Sequence, residues 1–305
     1  LHGYQQSKGK KMKIELLIID PQNDFCWPGI DMSVLNKQDV ITLETFIPSD
    51  ILTPGALFVP GANDDMERLA KMIIRLKDKL DDIHVTLDSH HYVDIAHPIF
   101  WLDSTGKHPD IFTIISADDV KNGLFRTTNP QFQSRATDYV NSLQDNGRYP
   151  LCIWPFHCLI GTFGYAVYPA LFDALKEWEK DFAMVDYVTK GSNLWTEHYS
   201  AVKADVPDAQ DPDTQLNMRL IDTLQNADII LLSGEAKSHC LANTVIDIAD
   251  NFGEENIKKM VLLEDATSNV PDPPGTTMFT DFGEKFVKDM MARGMQVSNT
   301  VDFLA

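Results

Sequence analysis

The sequence predicts an α/β protein, a mainly parallel sheet covered by helices on both faces, and three observations carry that expectation. Short apolar runs alternate with segments of helical periodicity along most of the chain. The runs are continuous, as strands buried on both faces must be. Polar residues of the types that do chemistry gather at the carboxyl ends of those runs, where an open parallel sheet places its ligand crevice.

Taken in order, Ile14-Glu-Leu-Leu-Ile-Ile19 is an apolar run closed by Asp20-Pro21 and reads as the first strand. Residues 64 to 80 repeat apolar positions at helical spacing behind an acidic first turn, which suits the positive end of a helix. Residues 83 to 87 read as the second strand, 166 to 178 as a helix and 181 to 188 as the third strand. A helix over 214 to 225 precedes the strand at 228 to 233, and residues 241 to 249 resume helical spacing. A strand at 259 to 263, a helix at 279 to 293 and a short strand near 295 to 298 complete the alternation.

Three stretches interrupt it, near 29 to 60, 101 to 150 and 192 to 213. They are rich in Pro, Asp, Asn and Thr and read as long loops or small inserted elements, of the kind that serve as lids or oligomer contacts. No linker divides the chain, so residues 12 to 305 form one domain in this reading. Residues 1 to 11, polar and basic, are set aside as a flexible arm or expression remnant.

The formal charge of −19 argues against nucleic acid or an anionic membrane as partner. The four cysteines, Cys26, Cys152, Cys158 and Cys240, are too few for a disulfide framework and suit a reducing compartment. With no apolar run of membrane-spanning length and no signal-peptide core, the expectation is a cytoplasmic protein. The acidic surface and the inserts leave a homo-oligomer open.

The most informative stretch is Ser233-Gly-Glu-Ala-Lys-Ser-His-Cys240, which sets a cysteine between a strand and a helix. In the first turn of a helix the macrodipole and free N–H groups favour thiolate and can hold an oxyanion. A free cysteine is more often a small core residue, and a strand-end aspartate often only caps a turn. Here, however, Asp20, Asp88 with His90, Lys190 and Cys240 follow four different strands and converge at one end of the sheet. Asp88-Ser-His90 has the spacing that points both side chains to one face of an extended backbone, and carboxylate with imidazole suits a divalent zinc, iron or manganese ion. His91, His97 and the imidazole in Trp154-Pro-Phe-His157-Cys158 extend the cluster.

In these residues the chain resembles the nicotinamidase and pyrazinamidase group of the isochorismatase-like cysteine hydrolases. The resemblance lies in Ile19-Asp-Pro-Gln-Asn-Asp-Phe25, Asp88-Ser-His90, Trp154-Pro-Phe-His157-Cys158, Thr189-Lys190-Gly191 and Gly234-Glu-Ala-Lys-Ser-His-Cys240, in the family's order. It spans roughly residues 12 to 300 and implies a three-layer α/β/α fold, here carrying long inserts. It implies Asp20, Lys190 and Cys240 as a catalytic triad, and backbone N–H groups of Ala236 and Cys240 as an oxyanion hole beside a cis peptide at Glu235–Ala236. It implies Asp88, His90 and His157 as ligands of a divalent metal, zinc foremost, with His97 as a candidate fourth. Phe25 and Trp154 would sandwich an aromatic amide and Tyr199 would line the pocket.

The activity implied is hydrolysis of nicotinamide or a close aromatic amide through a thioester on Cys240. The alternatives are an amidase of the same superfamily acting on carbamoyl or ureido compounds, hydrolysis of the isochorismate vinyl ether, and a non-catalytic scaffold that binds a ligand or partner. Two departures from the family pattern bear on substrate: the insert at 101 to 150 between the metal motifs, and Glu235-Ala-Lys-Ser-His239 in place of a usual apolar-Ala-Thr-Asp sequence.

Overall fold

The structure is a computed structural model and describes residues 11 to 146 and 149 to 305. The proposed arm therefore lies outside the described residues, except Lys11, whose ammonium is 2.7 Å from Asp81 Oδ1. Six parallel strands form the main sheet: β1 (Ile14–Ile19), β2 (Asp82–Asp88), β3 (Asp186–Lys190), β4 (Ile229–Gly234), β5 (Met260–Leu263) and β6 (Gln296–Ser298). Their order is β6-β5-β4-β1-β2-β3, all neighbours parallel. The chain winds outward from β1 in one direction and then from β4 in the other. The boundary between β1 and β4 is thus the topological switch point, where such sheets open their binding crevice.

The crossovers are helices α1 (Ala62–Leu76), α2 (Pro169–Glu179), α3 (Met218–Gln225), α4 (Ala242–Phe252) and α5 (Met278–Arg293). Helix α1 packs on α2, while α4 packs on α3 and α5. Right-handed crossovers put these two groups on opposite faces of the sheet. The central strands β1 and β4 are buried at every residue, which explains their unbroken apolar runs. Glu15 is the exception within β1. It is fully buried, with Oε1 2.6 Å from Lys13 Nζ and Oε2 3.4 Å from His84 Nε2, whose Nδ1 meets Asp186 Oδ2 at 3.0 Å.

The third strand begins later than the sequence reading placed it. Residues 181 to 185 close the end of α2: the N–H groups of Asp181 and Phe182 donate to Trp178 and Glu179 carbonyls, Phe182 turns to φ 63°, and the Val185 N–H donates to the Glu179 side chain. Helix α2 starts at Pro169, because residues 163 to 168 bond back to the segment after β1. Helix α3 starts at Met218, where the Asn217 side chain caps the Leu220 N–H.

The inserts are structured. Residues 29 to 60 carry helices Lys37–Phe46 and Ser49–Leu52. Residues 101 to 150 build two small antiparallel pairings, Trp101–Asp103 with Phe125–Thr127 and Ile114–Ile115 with Leu151–Cys152, and a helix Gln133–Asn146. Residues 192 to 213 remain mostly irregular and lie against the end of β3. No helix among the described residues is long and apolar enough to cross a membrane.

Candidate active site

The switch point is held open by backbone geometry. Gly234, the last residue of β4, has φ 103°, and a Cβ there would sit 2.1 Å from the Ile19 carbonyl oxygen. Only glycine permits that approach. Asp20 leaves β1 at φ 43°, a region costly for a residue with a side chain and persistent only where surroundings enforce it. Thr86 on β2 does so by accepting from the Asp20 N–H at 3.0 Å and donating to Asp20 Oδ1 at 2.5 Å. Its role was not read from the sequence, although its place two residues before Asp88 puts it on the same face.

Lys190 ends β3 beside Asp88, which ends β2. Its ammonium lies 2.9 Å from Asp20 Oδ2, 3.1 Å from Asp88 Oδ1, 3.6 Å from Cys240 Sγ and 2.9 Å from the His198 carbonyl, with its side chain 1% exposed. The three expected triad residues are therefore joined through one buried cation. Gly191 keeps space beside this group, since a Cβ at its φ of 83° would fall 2.8 Å from Asp88 Oδ1.

Cys240 sits in a single π-helical turn, Lys237–Leu241, that runs directly into α4. Such turns are rare and recur at functional sites. The peptide bond between Glu235 and Ala236 is cis, as the resemblance implied. Lys237 N–H donates to the Ser268 carbonyl and His239 N–H to the Ala236 carbonyl, whereas the Ala236 N–H has no partner among the described residues. Burial drives the Cys240 thiol well above its ordinary value, and Asp20 and Asp88 add to that against the single opposing charge of Lys190. Burial and the two carboxylates thus oppose the favour that a helix start gives to thiolate, and a base such as Asp20 is needed to take the proton.

The same balance separates the two aspartates. Burial raises the Asp20 carboxyl despite Lys190 and Thr86, which suits it to accept a proton. Burial also opposes charge on Asp88, but His90 and Lys190 prevail and hold it well below the usual range. Burial opposes charge on Lys190 too, yet Asp20 and Asp88 raise it well above normal, so it remains a fixed cation.

Asp88, His90 and His157 bring one donor atom each to within 4.8 Å of one another. His90 Nε2 and His157 Nε2 lie 3.2 and 3.4 Å from Asp88 Oδ2. Each imidazole is oriented from behind: His90 Nδ1 meets Asp94 Oδ2 at 3.0 Å and His157 Nδ1 meets the Pro155 carbonyl at 2.8 Å. An acceptor on Nδ1 leaves the Nε2 lone pair facing the other donors, the arrangement a divalent ion requires. The donor set thus fits a transition metal. His97 lies beside it, with ring centroids 5.1 and 5.7 Å from His90 and His157, but is not one of the three converging donors. Burial brings its pKa down to about 4, and its buried Nε2 has no partner among the described residues.

Asp88, His157, Lys190 and Cys240 border a cavity of about 390 Å³, its open mouth included, lined also by Phe25, Trp154, Tyr199, Ala236, His239 and Glu197. All three expected pocket aromatics are present, and Trp154 Nε1 donates to the Tyr199 hydroxyl at 3.0 Å. Asp94, His239 and Glu197 were missed. Burial keeps His239 neutral down to about pH 3. Burial also raises Glu197 to about 8, and its Oε2 has no partner among the described residues. The signal for His239 was its position before the cysteine; for Asp94 and Glu197, which lie in loops, there was none.

No protein-family model matches the chain, and no curated protein matches it. The fold and site together define a three-layer α/β protein with a buried Asp-Lys-Cys group beside a metal-competent cluster. Among solved structures it is similar to an Acinetobacter baumannii nicotinamidase/pyrazinamidase, at 18% identity and TM-score 0.56, over 96% of this chain and 99% of that one. It is similar to the yeast nicotinamidase, at 18% identity and TM-score 0.57, over 94% and 99%. A third similar structure, from L. infantum in complex with nicotinate, has 16% identity and TM-score 0.53, over 95% and 94%. At these identities the shared property is the fold, and it is the fold the sequence resemblance implied.

Proposed function

We propose that the protein is a metal-dependent cysteine amidohydrolase that converts nicotinamide, or a close aromatic amide, to the acid and ammonia. The observation that carries this reading is Lys190, whose ammonium touches Asp20, Asp88 and Cys240 at once on the wall of an aromatic cavity. The nicotinamidase structures that share the fold, one of them in complex with nicotinate, support an aromatic amide over a carbamoyl compound.

In this mechanism Asp20 takes the thiol proton as Cys240 Sγ attacks the amide carbon, and Lys190 balances the charge of the group throughout. The oxygen charge that develops is met by the N–H groups of Ala236 and Cys240. Asp20 returns its proton to the amine, the carbon–nitrogen bond breaks, and ammonia leaves a thioester. Water, with Asp20 again as base, cleaves the thioester and restores the thiol. A divalent ion on Asp88, His90 and His157, zinc first among the candidates, would supply Lewis acidity and a docking point for a ring nitrogen. Phe25, Trp154 and Tyr199 fix the ring plane and exclude water. Ammonia release from nicotinamide and a panel of aromatic and ureido amides tests the reading. Turnover of ureido compounds alone would replace it with the carbamoyl alternative.

A further inference from the structure

Glu235 immediately precedes Ala236, which lines the cavity and whose N–H has no partner among the described residues, yet the Glu235 side chain bonds Ser268 beside α1. There the Ser268 N–H donates to Glu235 Oε2 at 3.0 Å, while the Lys237 N–H donates to the Ser268 carbonyl at 2.8 Å. The Glu235 N–H in turn donates to the Ile19 carbonyl at 2.8 Å. Ala236 is thus suspended between two pinned neighbours, and one of the pins runs through the Glu235 side chain.

The Glu235 carboxyl is fully buried, and Ser268 holds it beside that of Asp65: the Ser268 N–H donates to Glu235 and the Ser268 hydroxyl to Asp65. Two carboxyl groups buried against one residue repel each other when both are ionised, which favours a proton on one of them. Burial raises the Asp65 carboxyl as well, but Asp65 is the one of the two that meets a cation, with Arg68 at 2.5 Å from its Oδ1, and the Ser268 hydroxyl donates to its Oδ2 at 2.6 Å, so charge is favoured there. Glu235 has no cation of its own, and its Oε1 meets no donor among the described residues. The other groups facing the pair do not change this assignment. Cys26, from the turn after β1, is a buried thiol, and Asp265 bonds Arg68 through its carbonyl while its carboxylate is turned to Thr300.

We propose that Glu235 is a positioning residue for the oxyanion donor at Ala236, acting through Ser268 in its protonated form beside Asp65. The proposal rests on the amidase reading of the cavity. Burial, with Asp65 adding, raises the Glu235 carboxyl well above its ordinary value. The stability this group contributes is therefore complete below the usual glutamate range and is lost as pH rises through the raised folded value. Ionised Glu235 would repel Asp65, release the Ser268 contact and move Ala236 from its place. An alkaline loss of kcat with little change in KM follows, since an oxyanion contact acts in the transition state.

The test combines infrared difference spectra with kinetics on the full chain. Glu235→Gln should remove one protonated-carboxyl absorption present at pH 7 in the unaltered protein. It should keep kcat within about threefold at pH 7, because a neutral amide oxygen still accepts from the Ser268 N–H, and it should abolish the alkaline fall. Asp65→Asn should shift the loss of that absorption to lower pH. Glu235→Leu should lower kcat on the order of 10- to 100-fold with KM nearly constant, the size of a misplaced catalytic group. An unchanged spectrum in Glu235→Gln, or full kcat and an unchanged pH profile in Glu235→Leu, overturns the proposal. If the unaltered protein turns over no amide, the amidase reading fails separately and the spectrum decides: a lost absorption keeps Glu235 as the anchor of this turn, and an unchanged one removes it.

Discussion

Replacing Lys190 with methionine removes the cation on which the site depends while keeping most of its volume. The two ion pairs, at 2.9 and 3.1 Å, each represent on the order of 5 kcal/mol of attraction at an effective dielectric constant of about 20. Much of that offsets the cost of burying the charges. Removing one partner from a buried pair therefore costs about 3 to 5 kcal/mol net. The lower end applies here, because Asp20 can relieve its lost partner by taking a proton. Its folded pKa is already raised by burial and is held down by Lys190, so the substitution raises it further. Stability linked to a raised carboxyl is present in full below its unfolded value and lost as pH rises through its folded value. The deficit of Lys190→Met should accordingly be about 3 kcal/mol at pH 7 and shrink on acidification towards pH 4. A protonated Asp20 cannot serve as base, so kcat/KM at pH 7 should fall on the order of 10²- to 10⁴-fold. Urea unfolding at both pH values and ammonia release at pH 7 measure the two effects. A variant that keeps near-parental activity, or whose deficit grows on acidification, refutes the electrostatic argument.

Other expectations follow from single contacts. Cys240→Ala should abolish ammonia release while metal content on the same sample stays at the parental level. His90→Ala should lower metal content before it alters stability, and Asp94→Asn, which loosens His90 from behind, should weaken metal affinity about 10- to 100-fold as measured by competition with a chelator. Gly234→Ala places a Cβ 2.1 Å from the Ile19 carbonyl at a φ of 103° and should destabilise the fold by about 3 kcal/mol or more in denaturant unfolding.

Much of this arrangement is visible in the sequence because parallel strands buried on both faces leave continuous apolar runs, and their ends locate Asp20, Asp88, Lys190 and Cys240 without any contact information. The third strand was misplaced because apolar residues 181 to 185 close a helix instead of entering the sheet, a choice made by the Glu179 side chain and carbonyl. The helix Lys37–Phe46 was not legible because none of the side chains described in it is buried, and Gln133–Asn146 buries only Ala136, Tyr139, Val140 and Leu143. Asp94 and Glu197 reach the site from loops whose paths only tertiary packing determines. Glu235, beside the nucleophile in sequence, gave no hint that its side chain would bond Ser268 next to Asp65 on α1. The surroundings of Cys240 were hidden for a related reason: the local helix start is visible in sequence, whereas the burial and the converging carboxylates that raise the thiol are not.

The central claim is that Cys240, served by Asp20 and Lys190 beside a metal on Asp88, His90 and His157, cleaves an aromatic amide. Ammonia release from nicotinamide by the purified protein, with metal content determined on the same sample and Cys240→Ala as control, tests it most directly. The account predicts release that depends on both the thiol and the bound metal. Bound metal with no turnover of nicotinamide or other aromatic amides, or turnover that survives in Cys240→Ala, would contradict it.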